Sequence, residues 1–311
     1  MTPRDDRAWC TPTWLPAEAL EFGSPVRGGL AVGAPGKVGV LDLELEPRAG
    51  RTTVVRQYQR APLHIYRPIH LDPALPQMAF VYLQQQGDGL VQGDRYRVEV
   101  NCAAESAVHL TTQAPTKIFA AIDNYATQLV NLHVGPGAVL EYLPDPVVPF
   151  RGSRLFQRTC VTVADDATVI LGEVLLPGRV ARGETHVYDL FWSELEIRDS
   201  AGTVLVADTL RLRPGTLDPR SPGVLGGFDV LASLYVVSRR AKPSDLVDLL
   251  RSGLAKAPDV LCGVTELPEG RGASVRILGA TSAAVQAAVR HAWERVRLAV
   301  LSAPVPDLRK G

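Results

Sequence analysis

The feature that most constrains the fold of this chain is an alternation of short apolar runs with turn-forming clusters, which extends from about residue 28 to residue 237. The runs are rich in Val, Leu, Ile and Thr, and the clusters contain Gly, Pro, Asp and Asn. Residues 41–45, 95–100 and 195–198 alternate apolar and polar side chains, which directs one face of each segment to a core and the other to water. The pattern predicts a mainly β protein of many short strands. The turns are irregularly spaced, and both layered and helically stacked sheets fit them.

A helical period replaces this pattern in the last quarter of the chain. Residues 244–257 carry leucines at helical spacing, and Pro258 ends the segment. Residues 282–302 carry a second apolar stripe at the same spacing. Between them, residues 260–264 and 274–278 have the composition of a strand pair. We therefore expect about two α-helices near the C-terminus.

The N-terminal residues differ from the rest in composition. Residues 1–25 contain four prolines and few periodic apolar positions, which predicts a flexible tail. No linker-like stretch interrupts residues 26–311, so we expect them to form a single β-rich domain.

Charge and apolar content limit the partners and the location of the protein. Lys and Arg number 33, as do Asp and Glu, so the formal net charge of zero gives no attraction to nucleic acid or to an anionic membrane. The mixed charges at the N-terminus do not fit a signal peptide, and no stretch reaches the ~20 apolar residues that span a bilayer. We expect a cytoplasmic protein that binds neither nucleic acid nor membrane.

The residues that usually carry catalysis or hold metals are scattered. No two of the six histidines have the spacing that builds a metal site on a helix or a strand, and the four cysteines include no C-x-x-C pair. Neither Ser153 nor Ser193 lies in a G-x-S-x-G context. We therefore assign no catalytic residue. Metal ligands are unknown, and a weak site of carboxylate, imidazole and water stays open.

Polar blocks at the ends of the expected strands hold the candidate functional residues. Their threonine, glutamine and carboxylate groups would either form a wall facing a partner or a hydrated channel, or only satisfy the backbone of their own sheet. Glu173, Arg179, Arg182 and Glu184 are expected to share one charged turn region. The complete set of candidates is Asp94, Thr111, Thr112, Gln113, Lys117, Glu141, Asp145, Glu173, Arg179, Arg182 and Glu184.

Taken in order, these blocks resemble the UreD (UreH) family of urease accessory proteins. The residues that carry the resemblance lie between about residues 28 and 214. They are Ala61-Pro62-Leu63, Arg67-Pro68, Gly87 to Asp94, Thr111-Thr112-Gln113, Lys117, Gln128, Leu140 to Phe150, Gln157, Gly178-Arg179 and Arg182-Gly183-Glu184.

The resemblance implies a β-rich, layered and β-helix-like fold with two helices. It also implies a non-catalytic chaperone that binds urease apoprotein and UreF, with UreG recruited through UreF, and that is required for nickel incorporation into urease. A water-filled nickel passage through the protein is part of the same expectation. Such transit requires weak, exchangeable oxygen ligands, so we expect no tightly bound cofactor and at most transient nickel.

Two alternatives remain at this point. The first is a β-helical carbohydrate-active enzyme, in which Glu141 and Asp145 or Glu173 would be the paired acids. The second is a β-scaffold binding module with no role in nickel handling.

Overall fold

The computed structural model describes Arg4, residues 6–23 and residues 36–310. Strands make up 44% of the described residues and helical residues 16%, which confirms a mainly β fold. Among the described residues the helices are α1 (Ala17–Leu20), α2 (Pro243–Leu254) and α3 (Ser282–Leu301). The strands are β1 (Val38–Arg48), β2 (Arg51–Arg60), β3 (Leu63–Ile65), β4 (Ala79–Gln85), β5 (Gly89–Leu90), β6 (Arg95–Cys102), β7 (Ala107–Thr112), β8 (Thr116–Ile118), β9 (Ala126–Val134), β10 (Val139–Tyr142), β11 (Val147–Pro149), β12 (Arg154–Val163), β13 (Thr168–Leu175), β14 (Leu190–Asp199), β15 (Val204–Leu212), β16 (Val230–Val237), β17 (Val260–Glu266) and β18 (Gly272–Gly279).

The centre of the molecule is a β-solenoid of about four turns. In one sheet, strands β1, β6, β9, β12 and β14 are parallel neighbours; in the other, β4, β7, β10 and β13 are. Within the described residues the first sheet has seven strands and the second has eleven. Strands β5, β8 and β11 of the eleven-stranded sheet form a short parallel ladder that joins β13 through β11. The expected β-helix-like stacking is thus confirmed.

Antiparallel strands close both ends of this stack. Strand β2 pairs with β1 at one end of the seven-stranded sheet, and β15 pairs with β14 at the other. In the eleven-stranded sheet, β3 is antiparallel to β4, and β16, β18 and β17 continue antiparallel from β13.

The eleven-stranded sheet contributes to two hydrophobic cores because side chains alternate across it. On β13, Leu171 and Leu175 point into the core between the two sheets. Ile170 and Val174 point the other way, into a core formed with α2 and α3.

The helices begin close to the residues that the periodicity predicts. Helix α2 covers Pro243–Leu254 and ends shortly before the predicted 257, and α3 covers Ser282–Leu301. The expected strand pair is β17 and β18. None of the helices in the described part of the chain is long and apolar enough to cross a membrane.

Residues 6–23, within the segment expected to form a flexible tail, pack against the seven-stranded sheet. The Arg7 guanidinium donates hydrogen bonds to the carbonyls of Gly36 and Gly93, at 2.7 and 2.5 Å. Cys10 is fully buried, and the Arg97 guanidinium lies 4.2 Å from the ring of Trp9. These contacts hold the described residues in place, which the proline content did not predict. The expected boundary at residues 25 and 26 lies outside the described residues.

Candidate functional site

A polar ladder crosses the inner face of the seven-stranded sheet. The parallel register aligns Tyr96 with Gln128, Gln128 with Gln157, and Gln157 with Ser193. Each of these side chains points inward, on the face of its strand that otherwise carries apolar core residues. Val130 on β9 is one of these core residues. The ladder therefore places amide and hydroxyl groups between the sheets, where an enclosed cavity of about 50 Å³ lies. That volume holds a few water molecules.

Glu173 of β13 projects into this cavity from the opposite sheet. Its carboxylate accepts hydrogen bonds from Gln157 Nε2 and from Ser193 Oγ, the latter at 3.0 and 3.1 Å. Burial raises the pKa of Glu173 to about 7, and the nearby charge of Asp208 adds to this effect. Glu173 is thus a carboxylate that changes charge near neutral pH, and it lies on a strand, outside the Arg179–Glu184 turn with which the sequence grouped it.

A second charged group lines the cavity toward the β15 end of the solenoid. The carboxylate of Asp208 on β15 accepts hydrogen bonds from Tyr235 Oη and from the Arg276 guanidinium. All three residues line the cavity. Burial raises the pKa of the Tyr235 phenol, so Tyr235 is a neutral donor to Asp208 at physiological pH.

A wider cavity of about 340 Å³ adjoins the interior one at the corner between β7 and β8. Thr112, Thr116 and Gln128 line both cavities. The predicted residues Gln113 and Lys117 line the wider one, with Asp88 lying 3.9 Å from Lys117 Nζ. Polar groups therefore continue from the surface to Glu173.

Thr111 and Thr112 are adjacent on β7 and point to opposite faces. Thr112 Oγ1 donates to Asp145 Oδ2 at 3.1 Å and accepts from the Asp145 amide at 2.8 Å. Thr111 Oγ1 donates to the carbonyl of Leu143 at 2.6 Å on the outer side of the sheet. Asp145 lines the interior cavity, whereas Thr111 does not.

Glu141, predicted to line a passage, points away from the cavity toward α3. It is fully buried, lies 2.7 Å from His109 Nδ1, and accepts from Arg297 Nη1 at 3.0 Å. The Arg297 guanidinium also donates to Asp72. Burial raises the pKa of Glu141, but the hydrogen bond with His109 and the electrostatic effects of His109 and the Arg297 guanidinium outweigh it, so the pKa lies below its usual value. This group is a buried ion network that fastens α3 to the sheet.

The remaining predicted residues stabilise corners of the solenoid. Asp94 is buried and its carboxylate accepts from the amides of Lys37 and Val91, at 2.8 and 3.0 Å. Arg179 forms a bidentate pair with Glu184, at 2.5 and 2.7 Å. Arg182 is exposed on the same turn. None of these four side chains lines either of the two cavities.

Several cavity residues were absent from the predicted set. Ser193, Asp208, Tyr235 and Arg276 line the interior cavity, as do the two ladder glutamines. A sequence signal existed for part of this set, because Gln128, Gln157 and Ser193 each interrupt the apolar side of an alternating run. Across the described residues, no three His, Cys, Asp or Glu side chains cluster closely enough to hold a metal ion.

The chain is similar in sequence to known urease accessory proteins. A family model described as UreD urease accessory protein matches residues 37–310. A urease accessory protein UreD 2 of Streptomyces griseus subsp. griseus is 46% identical over 286 residues, covering 90% of this chain and 96% of that protein. A urease accessory protein UreD of Haloarcula marismortui is 38% identical, covering 90% of this chain and 93% of its own, and one of Cenarchaeum symbiosum is 33% identical, covering 91% and 99%. The chain belongs to the UreD family of urease accessory proteins.

Proposed function

We propose that this protein is a non-catalytic chaperone of urease maturation, acting in the cytoplasm as a scaffold that binds urease apoprotein and UreF, with UreG joining through UreF. In this role it passes nickel toward the urease active site through the polar interior of the solenoid. Nickel is the cargo of the protein, with no resident metal. Membership of the UreD family supports the urease role, and the cavity supports the passage.

The observation that carries the proposal is the run of oxygen and amide groups around Glu173. Asp145, Thr112, Gln128, Gln157 and Glu173 line one enclosed cavity. A divalent ion can move between such groups because each supplies few ligands, whereas a cluster of histidines and cysteines would retain it. The pKa of Glu173, about 7, lets this carboxylate exchange a proton for a metal ion near neutral pH.

The carbohydrate-active alternative loses its paired acids. Glu141 is completely buried and paired with Arg297, so it has no access to a sugar. Without Glu141, neither Asp145 nor Glu173 keeps the second acid that this alternative requires.

The test is nickel-dependent activation of urease in cells that lack this gene, complemented with wild type, Glu173→Gln or Gln157→Leu. Glu173→Gln keeps the shape and removes the charge, so we expect urease activation to fall at limiting nickel while the complex with UreF and urease apoprotein still forms in a pull-down. Glu46→Gln changes a carboxylate on the outward face of β1, paired with Arg48, and is the matched control.

Each outcome has a defined meaning. Lost activation with an intact complex supports the passage, and loss of the complex assigns Glu173 to an interface instead. Full activation in the strain that lacks the gene would refute the chaperone role altogether.

A further inference from the structure

The wall of the interior cavity has a window beside α3. Strand β10 ends at Tyr142, opposite Leu171, and β11 resumes at Val147, opposite Leu175. Strand β13 is continuous, so residues 172–174 face a gap in the described ladder. Pro144 and Pro146 lie in the intervening segment and have no amide hydrogen to donate. The sequence Leu-Pro-Asp-Pro therefore opens the sheet at this point.

Two cavities meet at this window. The interior cavity and an outer groove of about 340 Å³ along α3 are both lined by Pro144, Asp145, Gly172 and Glu173. Gly172 has no side chain, and Leu143 Cδ2 covers the wall here, 2.8 Å from where a Cβ would lie. The interior cavity and the outer groove therefore share a wall at the window, away from the corner between β7 and β8.

The segment after α3 crosses the outer side of this window. Ser302 ends the helix in a left-handed conformation, with φ of 54°, and turns the chain back over the sheet. Ala303 is fully buried, and Leu308 packs on the core beneath α3. Tyr82 Oη donates to the Leu308 carbonyl at 2.6 Å. Residues 302–310 are therefore held at several points, and Leu308 and Lys310 line the outer groove at the window.

Lys310 places its ammonium group at the window itself. Lys310 Nζ donates to Asp145 Oδ2 and to Thr111 Oγ1, both at 2.8 Å, and lies 5.9 Å from the centre of the Tyr82 ring. The side chains of Lys310 and Asp145 keep 23% and 21% of their exposure. A cation held by a carboxylate and a hydroxyl occupies the kind of oxygen site that a hard or borderline divalent cation also accepts.

We propose that residues 302–310 are a strap over this window, and that the Lys310 ammonium is a tethered cation that a divalent metal ion displaces from Asp145. The strap closes the window while no metal ion is present. Arrival of the ion at Asp145 releases Lys310 and connects the outer groove with the Glu173 cavity. The choice of nickel as the ion rests on the proposed function, whereas the competition between two cations for one carboxylate rests on the contacts alone.

The experiment measures Ni²⁺ binding to the purified full chain by calorimetry. Lys310→Met removes the competing charge and keeps the approximate length of the side chain. The Ni²⁺ affinity should rise roughly fivefold, which corresponds to the free energy of a favourable, partly exposed ion pair. Lys310→Arg keeps the charge and should bind Ni²⁺ as the wild type does. Asp145→Asn should lose this binding event. In the wild type, Ni²⁺ should also accelerate hydrogen exchange of the amides in residues 302–310.

Equal affinities in Lys310→Met and wild type would refute the strap, as would weaker binding in Lys310→Met, because the lysine would then assist the ion. A separate arm measures urease activation with the gene deleted. If deletion leaves activation intact while the Ni²⁺ results hold, the proposed function fails and the strap stands. If deletion abolishes activation but Lys310→Met binds Ni²⁺ like wild type, only the strap fails.

Discussion

Replacement of Arg297 by methionine should be among the most damaging single changes in this protein. Arg297 is fully buried on α3, and its guanidinium satisfies two buried carboxylates, Glu141 and Asp72. Methionine fills most of the volume but supplies no charge and no donor. Glu141 would keep its contacts with His109 and with Trp293 Nε1, the latter at 3.1 Å, and Asp72 would lose its cation. Removal of one partner from a buried ion pair costs about 3–5 kcal/mol.

This loss is a large part of the ~5–15 kcal/mol that typically stabilises a folded domain. We expect the urea midpoint of Arg297→Met to fall accordingly, with an unchanged dependence of the unfolding free energy on urea. The triple variant Arg297→Met, Glu141→Gln, Asp72→Asn removes the unpaired charges and should recover most of the loss. An Arg297→Met protein within about 1 kcal/mol of wild type, or a triple variant no better than the single one, would refute the reasoning.

Three further predictions concern pH and backbone geometry. The pKa of Glu141 lies below its usual value in the folded protein. Ionised Glu141 therefore stabilises the fold above its unfolded-state pKa, and this contribution is lost as pH falls through its folded-state pKa. Glu141→Gln should flatten the acid limb of a curve of unfolding free energy against pH. The pKa of Glu173 is raised to about 7, so folding favours its protonated form, and the wild type should lose at most about 3 kcal/mol of unfolding free energy as pH rises from 4.5 to 8. Glu173→Gln should lack this fall, and a curve identical to that of the wild type would contradict the assignment. Gly178 has φ of +137°, and a Cβ there would lie 2.8 Å from the Glu184 carbonyl oxygen. Gly178→Ala should therefore lower the free energy of unfolding by roughly 1–3 kcal/mol, measured by thermal unfolding. Gly215 has open space around it, so Gly215→Ala should leave the melting temperature unchanged.

The elements of the fold were largely predictable from local patterns. Alternation along β1, β6 and β14 depends only on neighbouring residues, and the leucine spacing of α2 requires only one helical face. The number of solenoid turns was not predictable, because the turns differ in length and no fixed repeat marks them. Which strands pair in parallel was not predictable either, because each pair forms between successive turns of the solenoid.

The candidate site was predictable only in part, because the polar blocks did not show which face of its strand each residue occupies. Thr112 and Glu173 face the cavity, whereas Thr111 and Glu141, in the same polar blocks, face the opposite side of the sheet. The partner of Glu141 lies on α3, far along the chain, and nothing near Glu141 in sequence announces Arg297. For the same reason the sequence did not indicate that Lys310 contacts Asp145.

The antiparallel strands at the two ends of the solenoid have a consequence for assembly. A stack of parallel coils presents the same unpaired backbone edge at each end, so a second copy could extend it into a fibre. Here the ends are reversed strands, and β2 presents Arg51, Arg56 and Arg60 along its length. Pairing of two copies through their β2 edges would place these positively charged side chains against each other. The strands that terminate the solenoid thus differ from its parallel coils, and we expect the charge on β2 to disfavour pairing of two copies through this edge.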